Sequence, residues 1–226
     1  MLSQHSVQWT GWTEDSEIIR IMKVKIIALT ALLTLGLPLA AQDGFSRFVE
    51  KISSNVVSFD YAYTLNALKG SGKVRMNGSS YFITGDGLEI RSDGRTTWTT
   101  DLEAKEIVVE DAGSQDLTVG LNPALLLANA SAIFRLSSES EASISGKKAL
   151  RLTLKPRTDD SGLSSMTVLL NASDLSLISA DIVQDDGKTI KIAVSSFAFT
   201  GKDGDTAKYG VELSAYDRSW VVTDLR

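Results

Sequence analysis

The segment from residue 70 to residue 111, GSGKVRMNGSSYFITGDGLEIRSDGRTTWTTDLEAKEIVVED, decides the fold. Apolar and polar residues alternate within it, as in Ile107 and Val109 near its end, and such alternation is typical of antiparallel strands with one apolar face. Three dipeptides that tolerate the positive φ of a tight hairpin turn divide the segment: Asn77-Gly78, Asp86-Gly87 and Asp93-Gly94. The segment therefore predicts four or five short strands joined by hairpins.

Helices are predicted on both sides of this segment. Phe45–Ser53 places four apolar residues on one face at helical spacing. Asn122–Leu136 has Asn122 as its predicted N-cap and Pro123 in its first turn. The apolar residues of this second helix cover more than one face, so we expect it to be buried on several sides.

Strand patterns occupy most of the remaining sequence. Val56–Leu68 has aromatic and aliphatic residues at a period of two, which is the clearest strand pattern of the chain. Strands at this spacing, without alternating helices, indicate an antiparallel sheet of about ten or eleven strands with two or three short helices. Beyond residue 140 the alternation predicts strands at Ala149–Lys155, Ser164–Asn171, Ser176–Gln184, Thr189–Phe199, Tyr209–Ala215 and Arg218–Asp224.

Residues 22–41 have the organisation of a secretory signal peptide. A basic start, Met22–Lys25, precedes the apolar run Ile26–Leu37, and small residues follow. The apolar run is short for a membrane-spanning helix, although a retained anchor is the alternative. We expect cleavage after Ala41.

The two parts that flank the signal peptide are predicted to differ in kind. Residues 1–21 are polar and lack periodicity, so we expect a mis-annotated leader, with Met22 rather than Met1 as the true start. Residues 42–226 are expected to form a single exported domain with a hydrophobic core of its own.

The composition excludes several kinds of chemistry. The chain has no cysteine, and its one histidine, His5, lies in the leader. The mature protein would lack both residues, which excludes Ser-His-Asp and Cys-His catalysis, thiol redox chemistry, nearly every zinc site and a lipid-modified N-terminal cysteine. The net charge of −5 disfavours nucleic acid as a partner. Carboxylate pairs such as Asp185 and Asp186 lie beside turns, where charged residues are normally solvated. We predict no catalytic residues, no metal site and no cofactor.

In their order along the chain, these elements resemble the periplasmic outer-membrane lipoprotein carrier family, the LolA-like proteins. The resemblance implies a curved antiparallel sheet that forms an unclosed half-barrel, with the short helices packed on its concave face over an apolar cavity. It also implies a monomeric periplasmic carrier that shields the acyl chains of lipoproteins and ferries them from the inner to the outer membrane. The matching elements are Gly70–Met76, Ser80–Thr84, the hairpin SDGRTTWTTD at residues 92–101, Glu106–Glu110 and Asn122–Phe134.

Inward-facing apolar side chains are expected to contact the acyl chains in such a cavity. The resemblance further implies an inner-membrane release complex and an outer-membrane acceptor as partners. It also implies a departure from the family, because Gly78 occupies the position of an arginine that helps to latch the lid. The predicted lipid-binding set is Phe59, Tyr61, Tyr63, Met76, Phe82, Ile90, Trp98, Leu126, Ile133 and Phe134, of which the last three lie on the predicted lid helix.

Three alternative functions remain open at the level of sequence. A lipid-responsive envelope sensor or regulatory domain could use the same half-barrel. A structural or adhesive β-sandwich would have a filled core and bind no lipid. An enzyme would have to work through carboxylates alone.

Overall fold

The computed structural model describes residues 42–113, 122–159, 161–202, 204 and 206–226. The predicted leader and signal peptide lie outside these residues. The helices within this part of the chain are α1 (Gly44–Ser54), α2 (Pro123–Ala128) and α3 (Ala130–Ile133). Its strands are β1 (Asn55–Leu65), β2 (Leu68–Asn77), β3 (Ser80–Gly85), β4 (Leu88–Ser92), β5 (Thr96–Asp101), β6 (Glu106–Asp111), β7 (Phe134–Ile144), β8 (Lys147–Pro156), β9 (Leu163–Asn171), β10 (Leu177–Gln184), β11 (Thr189–Gly201) and β12 (Val221–Asp224).

The strands of the described residues form one open, curved sheet of twelve strands. Its order is β12-β6-β5-β4-β3-β2-β1-β11-β10-β9-β8-β7, so β12 and β7 are the free edges. Every neighbouring pair is antiparallel except β12, which runs parallel to β6. The predicted half-barrel with helices is confirmed, and one continuous sheet is not the arrangement of a two-sheet β-sandwich.

The predicted hairpin turns lie where the dipeptides placed them. Asp86 and Gly87 form the two-residue connection between β3 and β4, with φ angles of 52° and 81°. Positive φ at both positions is what a type I′ turn requires, and this turn matches the twist of the two strands. Gly78 (φ 63°) and Gly94 (φ 91°) supply the positive φ of the neighbouring hairpins.

An irregularity in β11 changes which of its side chains face the core. Ser58 of β1 is opposite Ala198, but Asp60 is opposite Ser195, so β11 contains one extra residue there. Ser196, at the bulge, has a φ of 54°. Such a bulge shifts the alternation by one residue. Before it the even-numbered Ile192 faces the core, and after it the odd-numbered Phe197 stacks on Phe59 with ring centroids 5.5 Å apart.

The second predicted helix begins where expected but is shorter than predicted. Asn122 is its N-cap, and Asn122 Oδ1 accepts a hydrogen bond from the Leu125 amide at 2.9 Å. The helix is interrupted at Asn129, whose side-chain amide donates to the Leu125 carbonyl oxygen at 3.0 Å. α3 then ends at Ile133, and Phe134 is the first residue of β7. The prediction that placed Phe134 on the lid helix is therefore wrong.

The predicted strand Tyr209–Ala215 is also wrong. The structure has two short 3₁₀ turns here, Ala207–Tyr209 and Leu213–Ala215. Apolar residues alternate in this segment, which imitates a strand, but they pack against the convex face of the sheet instead of pairing with a neighbouring strand. The following prediction, Arg218–Asp224, contains the true strand β12.

Two hydrophobic clusters are present among the described residues, one on each face of the sheet. The larger cluster fills the concave face between the sheet and α1–α3. The smaller cluster lies on the convex face, where Trp98, Ile107 and Val109 are covered by the chain that leads into β12. No helix in the described ranges is long and apolar enough to cross a membrane.

Candidate binding site on the concave face

An apolar cavity lies between α1, α2 and the concave face of the sheet. Its volume is about 30 Å³, which is room for a single small group. Every side chain that lines it is apolar, so no described titratable group faces its interior. The lining residues are Phe45, Phe48, Phe59, Pro123, Leu126, Leu127, Ala130, Leu154, Met166, Val168, Leu177, Ala180, Ile182, Ile192 and Val194.

α1 is positioned over the cavity by its apolar face and by polar contacts at both ends. Asp43 caps it, with Oδ1 accepting a hydrogen bond of 2.7 Å from the Ser46 amide. The Gly44 amide donates to Glu139 Oε2 of β7 at 2.8 Å. Near the other end, Lys51 Nζ donates to the Asp174 carbonyl oxygen at 2.6 Å. These contacts connect α1 to two separate parts of the sheet.

α2 and α3 are attached to the sheet by a second set of contacts. The side-chain amide of Asn122 donates to the Tyr81 hydroxyl at 3.1 Å, which joins the start of α2 to β3. Arg157 Nε donates to the Ser131 carbonyl oxygen of α3 at 2.9 Å. Asn122 and Tyr81 are both buried, at 8% and 2% exposure.

Beyond the helices, aromatic side chains of β1 lie across glycines of β2. Tyr61 is opposite Gly72 and Tyr63 is opposite Gly70 in the strand register. A Cβ at Gly72 would lie 2.8 Å from the Tyr61 hydroxyl oxygen, and one at Gly70 would overlap the Tyr63 ring. The glycine-led strand therefore makes room for two tyrosine rings, which are stacked at 6.4 Å.

The carboxylate of Asp86 lies at the end of this aromatic row. Its Oδ2 accepts a hydrogen bond of 3.3 Å from the Tyr63 hydroxyl, and its Oδ1 accepts one of 3.3 Å from the Ser71 amide. Burial raises the pKa of Tyr61 to about 12, with smaller contributions from the negative charge of Asp86 and from Tyr63. Burial and then Asp86 also raise the pKa of Tyr63. Both phenols are thus held in their neutral form.

The structure brings eight of the ten predicted lipid-binding residues to the concave face or its margin. Phe59 and Leu126 line the cavity itself. Tyr61, Met76 and Phe134 are buried in the surrounding core, and Tyr63, Ile90 and Ile133 are half-buried at its margin.

The other two predicted residues, Phe82 and Trp98, lie on the convex face. Directly paired residues of neighbouring strands share a face, and Arg91 of β4 is opposite both Phe82 and Trp98. The Arg91 guanidinium carbon lies 4.1 Å from the centre of the Phe82 ring. Tyr81 is opposite Met76, and both lie in the core on the concave face. Because successive side chains of a strand point to opposite faces, the next residue, Phe82, points away from the cavity.

Several lining residues were missing from the predicted set. They belong to all three helices and to strands β8–β11, for example Phe48, Leu127, Met166 and Ile182. The alternation within these segments was visible in the sequence, and it identified one apolar face for each. However, the alternation within one strand does not identify which strands of the sheet lie under the helices.

Comparison with known proteins places this fold in a family. The model of the outer membrane lipoprotein carrier protein LolA matches residues 72–205, which is more than half of the chain. A comparison with curated protein sequences gives no match.

Solved structures resemble the chain in fold at low sequence identity. An uncharacterized conserved protein from Thermus thermophilus is 13% identical, with a TM-score of 0.53, over 82% of this chain and 99% of that one. A LolA superfamily protein from Nitrosomonas europaea is 11% identical, with a TM-score of 0.42, over 73% of this chain and 96% of that one. MucB is 18% identical, with a TM-score of 0.44, over 75% of this chain and 62% of that one. On the match to the family model, this chain belongs to the family of the outer membrane lipoprotein carrier protein LolA.

Proposed function

We propose that this protein is a periplasmic carrier that holds the acyl chains of lipoproteins between its concave face and its helices, and ferries them from the inner to the outer membrane. The observation that carries the proposal is the wholly apolar cavity under α1 and α2 in a chain of this family. An apolar surface of this kind has no chemistry to offer a polar ligand, but it shields hydrocarbon from water.

The cavity must enlarge before an acyl chain can enter. Pockets that hold drug-sized ligands have volumes of roughly 300–1,000 Å³, against about 30 Å³ here. We therefore infer that the helices separate from the sheet on binding. Met166, which lines the cavity, has a flexible side chain that adapts to such a change.

The energies involved permit this opening. Each hydrogen bond that tethers the helices to the sheet contributes about 1 kcal/mol net. Four such hydrogen bonds involve the side chains of Glu139, Lys51, Asn122 and Arg157. Burial of each methylene contributes about 0.8 kcal/mol, so roughly ten methylenes gain about 8 kcal/mol. One acyl chain therefore offsets the loss of all four tethers and part of the core contacts that opening disrupts.

The same site gives no support to an enzymatic function. Among the described residues, those that line the cavity include no acid, base or nucleophile. Carboxylates that the sequence places in pairs are engaged in turns, as Asp101 is with the Glu103 amide at 2.9 Å and Asp186 is with Lys188 Nζ at 2.6 Å. We propose a binding protein that works with an inner-membrane release complex and an outer-membrane acceptor.

The test is native mass spectrometry with lipid extraction on the protein purified from the periplasm of its own host. Leu127→Asp puts a charge on a half-buried residue of the cavity lining, and Val211→Asp puts the same charge on a half-buried residue of the convex cluster. We expect bound lipoprotein or acylated peptide with the wild type and Val211→Asp, and much less with Leu127→Asp. A protein without bound lipid that also takes up no added acylated peptide would contradict the proposal.

A further inference from the structure

Part of the concave face extends beyond the helices and is exposed. We call it the hairpin shelf and define it by Tyr63, Leu68, Asp86 and Leu88. Leu68 is 59% exposed and Leu88 is 37% exposed. Gly85 is opposite Leu88 in the register and has no side chain that would cover Leu88.

The hairpin shelf is continuous with the cavity along β1. Phe59 lines the cavity, and Tyr61 and Tyr63 follow it on the same face at successive alternate positions. The ring centroids of Phe59 and Tyr61 are 6.4 Å apart, as are those of Tyr61 and Tyr63. A chain under the helices that leaves the cavity in this direction therefore passes over tyrosine rings and reaches Asp86.

The charge at the outer end of this path is negative. Asp86 makes hydrogen bonds only to the Tyr63 hydroxyl and the Ser71 amide, and among the described residues no lysine or arginine pairs with it. Asp101 is directly opposite Leu88 and so lies on the same face. Lys73 lies on the other face, where its Nζ pairs with Asp60 at 3.1 Å.

We propose that the hairpin shelf binds the positively charged amine at the head of an acylated peptide whose acyl chains lie under the helices. This inference rests on the proposed carrier function and adds a preference in the ligand. The exposed leucines, the Tyr63 hydroxyl and the Asp86 carboxylate, which has no cationic partner among the described residues, match a ligand whose hydrocarbon ends at a cation. A free α-amine on a diacylated cysteine has this chemistry, and N-acylation removes its charge.

The experiment measures the dissociation constants of two synthetic peptides that carry the same S-diacylglyceryl cysteine. One has a free α-amine and the other an N-acetylated one. The protein is used as the mature chain, together with Asp86→Asn and Asp60→Asn. Asn-Gly suits a type I′ turn, so Asp86→Asn keeps the hairpin. Asp60→Asn removes one negative charge from the opposite face of the same sheet and is the matched control.

We expect the wild type and Asp60→Asn to bind the free amine about fivefold more tightly than the acetylated peptide, which is the upper end of what an exposed ion pair contributes. Asp86→Asn should bind both peptides equally. The preference should shrink as salt is raised. Equal binding by the wild type, or a preference that survives in Asp86→Asn, overturns the inference and leaves the carrier function in place. Failure of the wild type to bind either peptide overturns both.

Discussion

The Asn122 side-chain amide donates a hydrogen bond to the Tyr81 hydroxyl across 3.1 Å, while Oδ1 of the same asparagine caps α2. One side chain thus both starts the helix over the cavity and attaches it to β3. Gly78, which occupies the position of the latching arginine implied by the family resemblance, lies in the adjoining β2–β3 hairpin. The chain therefore has a buried polar contact between helix and sheet that does not depend on an arginine there.

Removal of the Tyr81 hydroxyl should weaken this attachment. We expect Tyr81→Phe to lower the free energy of unfolding by about 1–2 kcal/mol, because it removes the acceptor of a buried hydrogen bond. Urea denaturation followed by tryptophan fluorescence measures the change. Because the chain has no cysteine, a fluorophore attached to a cysteine introduced at the exposed Ser131 of α3 labels that helix alone, and its anisotropy should fall in Tyr81→Phe as the helix becomes more mobile.

Tyr209→Phe is the matched control for this change. The Tyr209 hydroxyl is buried and has no hydrogen-bond partner in the described structure. Its removal should leave the stability unchanged or raise it slightly. Equal losses of stability in the two variants would contradict the role assigned to the Asn122–Tyr81 contact.

Addition of one methyl group at Gly72 should disturb the aromatic row. A Cβ there would lie 2.5 Å from the Thr84 carbonyl oxygen and 2.8 Å from the Tyr61 ring. We expect Gly72→Ala to destabilise the fold by about 1–3 kcal/mol. Gly201→Ala is the comparison, because a Cβ at that position meets no atom within 4 Å. Similar thermal midpoints for the two variants would show that the tyrosine does not lie against Gly72.

Truncation of Trp98 separates stability from binding. This side chain is 9% exposed and packs in the convex cluster, away from the cavity. Trp98→Ala should cost about 3–5 kcal/mol of stability and, at a temperature where the protein is folded, leave the affinity for acylated peptide unchanged. Phe59→Ala, in the cavity lining, should weaken both properties. A loss of affinity on Trp98→Ala in folded protein would restore this residue to the binding site.

Stability at high pH should depend on Tyr61. Its pKa is about 12 in the folded protein against an ordinary value of 10.0. The contribution of the buried neutral phenol to stability is therefore fully present below pH 10 and is lost as the pH rises through 12. Urea denaturation at about pH 9 and about pH 11, on either side of the ordinary phenol pKa, should show a fall in stability that is smaller in Tyr61→Phe. An equal fall in the two proteins would contradict the burial of this hydroxyl.

The fold was largely predictable because its signals are local. Positive φ at Gly87 and the alternation of Ile107 and Val109 follow from residue type and spacing, and these gave the hairpins and the single apolar faces. The interruption of the second helix was not predicted, since it depends on whether the Asn129 side chain competes for the Leu125 carbonyl oxygen.

The site was less predictable because it depends on register. Phe82 and Tyr81 are adjacent aromatic residues, and a shift of one position decides which of them lies on the concave face of the sheet. Trp98 was expected to face inward with the other apolar residues of the strands, but Tyr216 and Trp220, which are distant in sequence, pack against it on the other face. Neither the register of Phe82 nor the packing around Trp98 can be identified from the sequence of its own strand.

The proposed carrier function requires that acyl chains lie between the helices and the concave face. The most direct measurement is photo-crosslinking of the purified mature protein with an acylated peptide whose chain carries a diazirine, followed by mapping of the labelled residues by mass spectrometry. We expect labels on cavity residues such as Phe59, Leu126 and Met166. Labels confined to the convex cluster around Trp98, with none in the cavity, would contradict it.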